Sequence, residues 1–281
     1  RYASAALLKA KLTELVALHS IDSIIADMSD DYTKRLAPLY YDLAFLHTRL
    51  RFIRLHELHE QVFHRVSLSL IGKVWFLENI RAGASRYGYT VLKRAIDIVG
   101  ATLALVPCCL FFFPLTVLAI KLQDGGRALY KSERVGQYNT PIWIYKFRTM
   151  SGMDSGTTLN TAHTVTPLGR LLRRMHLDEF PQFWNILRGD LSFVGPRPET
   201  SARARVYAEC IPYYTMRHLI QPGLSGWAQI NNFEVPRGEV NVAQTIEKLS
   251  FDLYYLKHHS LLLDVEIILK TIKTMLMRSG S

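Results

Sequence analysis

The sequence predicts a mixed α/β protein in two parts. A small α/β domain occupies residues 1–81, residues 82–92 form a linker, and a helix-rich, membrane-associated domain fills residues 93–281. Three observations predict this. Helix-like and strand-like segments alternate before residue 82, as in a small α/β layer. An apolar run from Ile98 to Ile120 follows, long enough to enter a bilayer. Beyond it, apolar residues recur mostly at helical spacing, with only short strand-like pieces.

Composition narrows the partners. The chain has 281 residues and a net charge of +10, which favours nucleic acid, anionic lipid or phosphorylated substrates. No zinc-finger spacing or nucleic-acid motif is present, so nucleic acid is set aside. Cys108, Cys109 and Cys210 lack metal-ligand spacing and read as reduced thiols of a cytosol-facing protein. The chain opens on Arg1 with no visible signal peptide and reads as a piece of a longer protein.

In the first part, Ala5 to Leu18 reads as an amphipathic helix and Ile21 to Ala26 as a short buried strand. Asp30 and Asp31 open a helix through Leu43. Arg51 to Leu55 and Ser67 to Ile71 read as two further strands. No G-x-G-x-x-G occurs, so no cofactor is assigned here. His56 and His59 lack a completing Cys or acid and read as ordinary surface or core histidines rather than metal ligands. The domain reads as structural, regulatory or dimer-forming.

Ala82 to Tyr89 is rich in small residues and reads as linker. Lys93, Arg94 and Asp97 then stand at helical spacing, so Asp97 can pair with either base. That is an ordinary ion pair, or part of a basic collar at headgroup level. The run Ile98–Ile120 has about 23 residues, against the roughly 20 a spanning helix needs. Pro107 and Pro114 interrupt it, and basic residues flank both ends. Basic flanks favour the cytoplasmic side. A span and a helix that enters, bends and returns both remain open.

Leu129-Tyr130 and Trp143-Ile144-Tyr145 have strand character around a turn at Gly136–Asn139. Lys146 and Arg148 would share one face of an extended strand, either solvated or contacting phosphate. Met153 to Val165 is polar and reads as a loop. Thr166-Pro167 is a helix start, with a hydroxyl at the N-cap and proline in the first turn. Arg170, Arg173 and Arg174 precede Asp178-Glu179. Pro181 should kink or end the helix at these acids, because its ring clashes with the carbonyl of Leu177. Gly189 stops the next helical piece, and a stiff Pro196-Arg197-Pro198 corner follows. Paired acids among arginines suit a carboxylate acting on something phosphorylated.

Ala202 to Ile220 reads as a helix broken at Pro212, packed or interfacial. Gln221 to Trp227 reads as a turn and a short strand, with Trp227 in the core or at the interface. Asn231 to Asn241 is irregular and polar. Ile246 to Met277 reads as a membrane-associated amphipathic end, because Asp264, Glu266, Lys270 and Lys273 interrupt its apolar face.

The run LDEFPQFWNILRGDLSFVGPRP resembles the core signature of the bacterial sugar transferases, the monotopic polyprenyl-phosphate glycosyl-1-phosphate transferases. KRAIDIVGATLALV, SERVGQYNTPIWIYKFRTM and QPGLSGWAQIN fit in the same order, over roughly Tyr89 to Met275. The first part resembles the tail of the nucleotide-fold-like domain of larger members. The resemblance implies a re-entrant membrane helix breaking near Phe113-Pro114, where the family often has a serine before the proline. Met175-His176 likewise stand where small polar residues are common.

The implied activity is transfer of a sugar 1-phosphate from a UDP-sugar to undecaprenyl (polyprenyl) phosphate, the first membrane step of exopolysaccharide, capsule or O-antigen assembly. Asp178 would be the nucleophile, forming a phosphosugar–enzyme intermediate. Glu179 would orient it or, with Asp178, hold Mg2+. Arg173, Arg197, Lys146 and Arg148 would neutralise phosphates, and Gln182 and Asp190 would support them. The implied setting is the cytoplasmic face of the bacterial inner membrane, among membrane lipids, as a homodimer. A membrane-bound phosphohydrolase of nucleotide sugars and a non-catalytic scaffold are the alternatives.

Overall fold

A computed structural model of the chain describes residues 2–27, 33, 35–46, 50–80, 87–151, 164–231 and 240–279. The chain divides into two units, Arg1–Arg81 and Ala82–Ser281. The first contains α1 (Tyr2–His19), β1 (Ser23–Ala26), α2 (Ala37–Leu46), β2 (Arg51–Arg54), α3 (Leu55–Phe63) and α4 (Lys73–Asn79). The two strands pair in parallel, Ser23 opposite Arg51 through Ala26 opposite Arg54. Parallel neighbours need a crossover, and α2 lies within it. Val16, Leu39, Leu43 and Leu50 form the core of this unit.

Two expectations for this unit are corrected. β1 buries only Ala26, because a two-stranded sheet gives it one neighbour rather than two. Ser67–Ile71 is no strand: Leu68–Leu70 form a 3-10 turn, held between buried Val66 and Ile71. Asp30, Asp31 and the start assigned to their helix lie outside the described residues.

The second unit begins with α5 (Tyr87–Pro107), so six residues expected as linker are already helical. A π-helical turn, Cys108–Phe112, carries α5 into α6 (Phe113–Asp124). Neither proline ends the helix. The wide turn lies between them, and Phe113 N–H donates back to Cys108 O, so the proline that follows is met by a changed hydrogen-bond register.

One face of this long helix packs on its own domain. Asp97, Ala101, Cys108, Thr116 and Ile120 are buried, while Val99, Leu103, Val106, Leu110, Phe111, Leu115, Leu118 and Leu122 are exposed. Asp97 pairs with neither Lys93 nor Arg94; it accepts the N–H of Phe193 at 3.1 Å. Lys93 reaches Asp264 at 2.8 Å. Arg94 donates to the carbonyls of Ile186 and Leu187 at 2.5 and 2.7 Å. The bases expected as a headgroup collar therefore make tertiary contacts within the domain.

β3 (Leu129–Val135) and β4 (Pro141–Phe147) form an antiparallel hairpin, Leu129 opposite Phe147 through Val135 opposite Pro141. α7 (Pro167–Arg174), α8 (Gln182–Arg188) and β5 (Ser192–Val194) follow, then α9 (Ser201–Cys210) and β6 (Gly223–Ser225). β5 and β6 pair in parallel, Ser192 opposite Gly223 and Val194 opposite Ser225. The proline corner leaves this pair where only glycine fits. A Cβ on Gly223 would lie 2.1 Å from Gly195 N, and one on Gly195 2.3 Å from Gln221 O.

α10 (Trp227–Ile230), α11 (Val242–His258) and α12 (Leu261–Ser279) close the chain. Val194, Trp227, Phe251, Tyr255 and Ile267 form the core here. Trp227 stacks on Tyr254, which puts it in the core rather than at an interface. Tyr207, Tyr214, Arg217 and His218 are likewise buried, so the broken helix around Pro212 is packed. The last helical stretch is two helices, parted at His259-Ser260.

Candidate active site

The site grows from the end of α7. Thr166 Oγ1 caps this helix by accepting Gly169 N–H at 2.9 Å. Gly169 lets the helix dock on the strand end, since a Cβ there would lie 2.1 Å from Thr149 O. The helix stops at Arg174, and His176 takes a left-handed conformation with φ 54°. The break thus comes a few residues before the acids, which sit in a 3-10 turn, Leu177–Glu179. Pro181 then begins α8, as its missing N–H and fixed φ favour.

The two acids face different spaces. Asp178, 8% exposed, lines a polar cavity of about 440 Å³. Glu179 instead lines a mostly apolar cavity of about 440 Å³, with Phe180, Phe183, Phe193, Leu224, Ile230, Ile268, Ile272 and Met275. Arg197 and Gln229 line both. The divergence follows from adjacent residues on a 3-10 turn pointing about 120° apart.

Glu179 is held by two cations. Its Oε1 accepts from Lys146 Nζ at 2.5 Å and from Arg197 Nη2 at 2.6 Å. Burial pushes its pKa up, but Arg197 and then Lys146 outweigh this and hold the carboxyl well below the usual range. Lys146 itself is pushed down by burial, against the pull of Glu179. Arg197 also donates to Leu224 O at 3.2 Å.

Arg197 is fixed from behind. Its carbonyl accepts Arg217 Nη2 at 2.9 Å. Arg217 donates Nε to Asp252 at 2.8 Å and Nη1 to Tyr214 Oη at 3.2 Å. Arg217 and Asp252 are each about 2% exposed at the side chain. Burial opposes the Arg217 charge, yet Asp252 and Tyr214 raise its pKa.

The sequence-predicted residues mostly converge. Asp178, Lys146, Arg148, Arg173, Arg197 and Gln182 all line the polar cavity. Arg173 Nε donates to Thr149 Oγ1 at 2.7 Å. Gln182 is buried, and its Nε2 has no hydrogen-bond partner among the described residues. Asp190 is the exception. It lies outside the cavity lining and accepts Asn185 Nδ2 at 3.0 Å. Asn185 in turn binds Trp143 O and Tyr145 N, so Asp190 holds β4 in place from behind.

Sequence reasoning missed Arg134, Glu199, Arg203 and Lys248, which also line the cavity. Arg134, Lys146, Arg148, Arg173, Arg197, Arg203 and Lys248 make seven cationic groups there, against two carboxylates, Asp178 and Glu199. Such a cavity attracts polyanions. A signal for Lys248 existed: with Thr245, Leu249, Asp252 and Leu256 it recurs at helical spacing on the buried face of α11. Charged residues on such a face demand partners.

A family model described as "Bacterial sugar transferase" matches residues 88–278. The chain is 35% identical over 273 residues to the UDP-N-acetylgalactosamine-undecaprenyl-phosphate N-acetylgalactosaminephosphotransferase of Aeromonas hydrophila, covering 92% of this chain and 60% of that protein. It is 40% identical over 192 residues to the UDP-glucose:undecaprenyl-phosphate glucose-1-phosphate transferase of Escherichia coli (strain K12), covering 65% of this chain and 39% of that protein. The like-named enzyme of Caulobacter vibrioides is 36% identical over 199 residues, 68% of this chain and 72% of that protein. The chain therefore spans about half the length of the first two relatives.

Proposed function

This chain belongs to the bacterial sugar transferase family, and from that premise we propose that it transfers a sugar 1-phosphate from a UDP-sugar to undecaprenyl phosphate. The products are the undecaprenyl-diphosphate-sugar and UMP. The observation that carries this reading is the pair of cavities meeting at Arg197. The polar one suits a nucleotide diphosphate, the apolar one a prenyl chain, and Arg197 stands where the two phosphates would meet.

Asp178 attacks the phosphorus that bears the sugar. The bond to the bridging oxygen breaks, and the electron pair leaves with UMP. The lipid phosphate then attacks the aspartyl-phosphosugar and restores the carboxylate. Glu179 acts by positioning: its carboxylate holds Lys146 and Arg197 in fixed places, so that the cations need no reorganisation as charge moves. Arg197 sits between two prolines, on a backbone with little freedom to retreat.

The donor set fits Mg2+, which takes one or two carboxylates together with phosphate oxygens. Asp178, at the cavity wall, would be the principal protein ligand. Glu179 would join it only by giving up part of its bond to Lys146 or Arg197. The ion would supply charge neutralisation at the diphosphate.

The long apolar helix is read as re-entrant. Its buried positions recur from Asp97 to Ile120, with no gap longer than that between Cys108 and Thr116. Eight residues rise about 12 Å, against the roughly 30 Å of a bilayer core. No stretch is left to cross, yet the outward face is apolar. A helix lying in one leaflet with its domain on the cytoplasmic side satisfies both facts and brings the site to headgroup depth.

Intact-protein mass spectrometry tests the reading, with nanodisc-held protein, Mg2+ and a panel of UDP-sugars but no acceptor. A gain of one phosphosugar, absent in Asp178→Asn, is expected. Lipid-linked product forming with no adduct from any donor would refute the covalent route. Free sugar phosphate as the end product would favour the hydrolase alternative.

A further inference from the structure

Lys248 is the group the sequence reading left out and the chemistry leaves unexplained. It lies on the buried face of α11, 8% exposed, and lines the polar cavity. Among the described residues it forms no hydrogen bond and no ion pair. Burying an ammonium with no hydrogen-bonded partner is costly, and proteins seldom keep one without use for it.

Its surroundings locate it. Glu179, next to Asp178, holds both Lys146 and the Arg197 guanidinium. Lys248 instead stands one helical turn before Asp252, whose partner Arg217 holds the Arg197 carbonyl. The two lysines therefore flank Arg197 from its two ends, Lys146 on the side of the acid pair and Lys248 on the side of α11. Glu199 is already engaged by Arg134 at 3.7 Å, Arg203 at 3.5 Å and the N–H of Thr200. Lys248 does more than any other cation to hold the Glu199 carboxyl low, but the two do not close into an ion pair.

We propose that Lys248 binds the phosphate of the departing nucleoside monophosphate. The inference rests on the transfer reaction above. In-line displacement puts the leaving group opposite the nucleophile. Asp178 adjoins the Glu179 that holds the Arg197 guanidinium, while Lys248 lines the cavity from α11, whose Asp252 and Arg217 back the Arg197 carbonyl. As the bond from phosphorus to the bridging oxygen breaks, that oxygen takes the electron pair and the monophosphate gains a negative charge. The ammonium of Lys248 meets this charge in a site shielded from water, where a fixed cation acts most strongly. No proton need move. Burial, and then Arg217, push the Lys248 pKa down to about 8, and an anion arriving beside it favours the charged form that burial opposes.

The test uses the full chain in nanodiscs, with UMP as probe. In the Asp178→Asn background, Lys248→Met should weaken UMP binding by tenfold or more in calorimetry, while Lys248→Arg keeps most of it. With Asp178 intact, Lys248→Met should slow adduct formation from a UDP-sugar at least as much. UMP binding that is unchanged by Lys248→Met in a folded protein overturns the proposal. Should the Met variant not fold, UMP affinity in the Asp178→Asn protein decides. It should fall as pH rises past 8, by up to about tenfold per unit, and a flat profile to pH 9.5 counts against Lys248. If the native chain transfers no sugar phosphate to lipid, the proposed function fails, yet the UMP titration still decides the role of Lys248.

Discussion

Replacing Asp252 by Asn probes the support behind Arg197 while changing the side chain's volume very little. Asp252 is the carboxylate partner of Arg217, and both side chains are about 2% exposed. The variant leaves a guanidinium buried without its hydrogen-bonded counter-charge, with only the Glu199 carboxylate acting on it from further off, since arginine does not give up its proton. Removing one partner of a buried ion pair costs about 3–5 kcal/mol. In a unit of this size, each kcal/mol moves Tm by about 2–4 °C. The predicted drop is therefore about 6–20 °C, read from tryptophan fluorescence on heating in nanodiscs. A control separates charge from packing: Arg217→Met with Asp252→Leu removes both charges and should recover much of the loss. The catalytic effect should exceed the stability effect. Arg217 Nη2 also holds the Arg197 carbonyl at 2.9 Å, so adduct formation should fall at temperatures where the variant is still folded. A shift under about 2 °C, with adduct formation unchanged, would refute the idea that this buried pair anchors the phosphate clamp.

Four further outcomes follow from the same geometry. Gly223→Ala should lower stability by about 2 kcal/mol or more, because the new methyl meets backbone rather than a movable side chain; calorimetry checks this. Glu179→Gln should slow adduct formation by roughly two orders of magnitude, as for loss of a fixed electrostatic contact, with little change in UDP-sugar affinity; a rate equal to that of the native protein refutes the positioning role. His218 is buried, and burial, then Arg217, push its pKa down to about 3. The unfolded chain, with a His pKa near 6.5, therefore binds a proton that the folded one refuses. Stability should fall as pH drops from about 6.5 toward 3, and His218→Phe should flatten that slope in urea titrations. Finally, Leu110→Lys with Phe111→Lys puts two charges on the exposed apolar face, at about 2.5–3.5 kcal/mol each if the face lies in hydrocarbon; the protein should then shift from the membrane to the soluble fraction on lysis.

What the sequence made legible was mostly local. Thr166-Pro167 predicted the start of α7, Gly189 the end of α8, and the turn at Gly136–Asn139 the hairpin, because each acts on its own few residues of backbone. Failures came where the deciding partner is distant. Asp97 reads as the mate of Lys93 or Arg94 by spacing, but its acceptor role goes to Phe193, 96 residues away. Asp190, read as a supporting residue, gives its support indirectly: Asn185 and Arg188 take its carboxylate, and Asn185 goes on to reach β4, some 40 residues away. In the long helix, Pro107 and Pro114 read as breaks, and a π turn instead absorbs them, a choice made by packing of Phe112 and Phe113 on Phe147.

The same distinction explains which parts of the site were found. The cations near Asp178 in sequence, or in the strand ending at Phe147, advertise themselves by clustering. Lys248 and Arg217 do not: Lys248 follows Glu247 and Arg217 precedes His218 in stretches with no marked cluster of cations, and each matters because the fold brings it toward Arg197 from elsewhere in the chain. Arg197 is thus the point where local and distant information meet. Prolines on either side restrict its backbone, Glu179 holds its guanidinium, and Arg217, itself held by Asp252, fixes its carbonyl. An arginine restrained at both ends cannot swing to follow one phosphate at the expense of the other. On the proposed transfer, that restraint is what a junction between a nucleotide cavity and a lipid cavity would require, since the charge neutralised would pass from donor to acceptor while the cation stays in place.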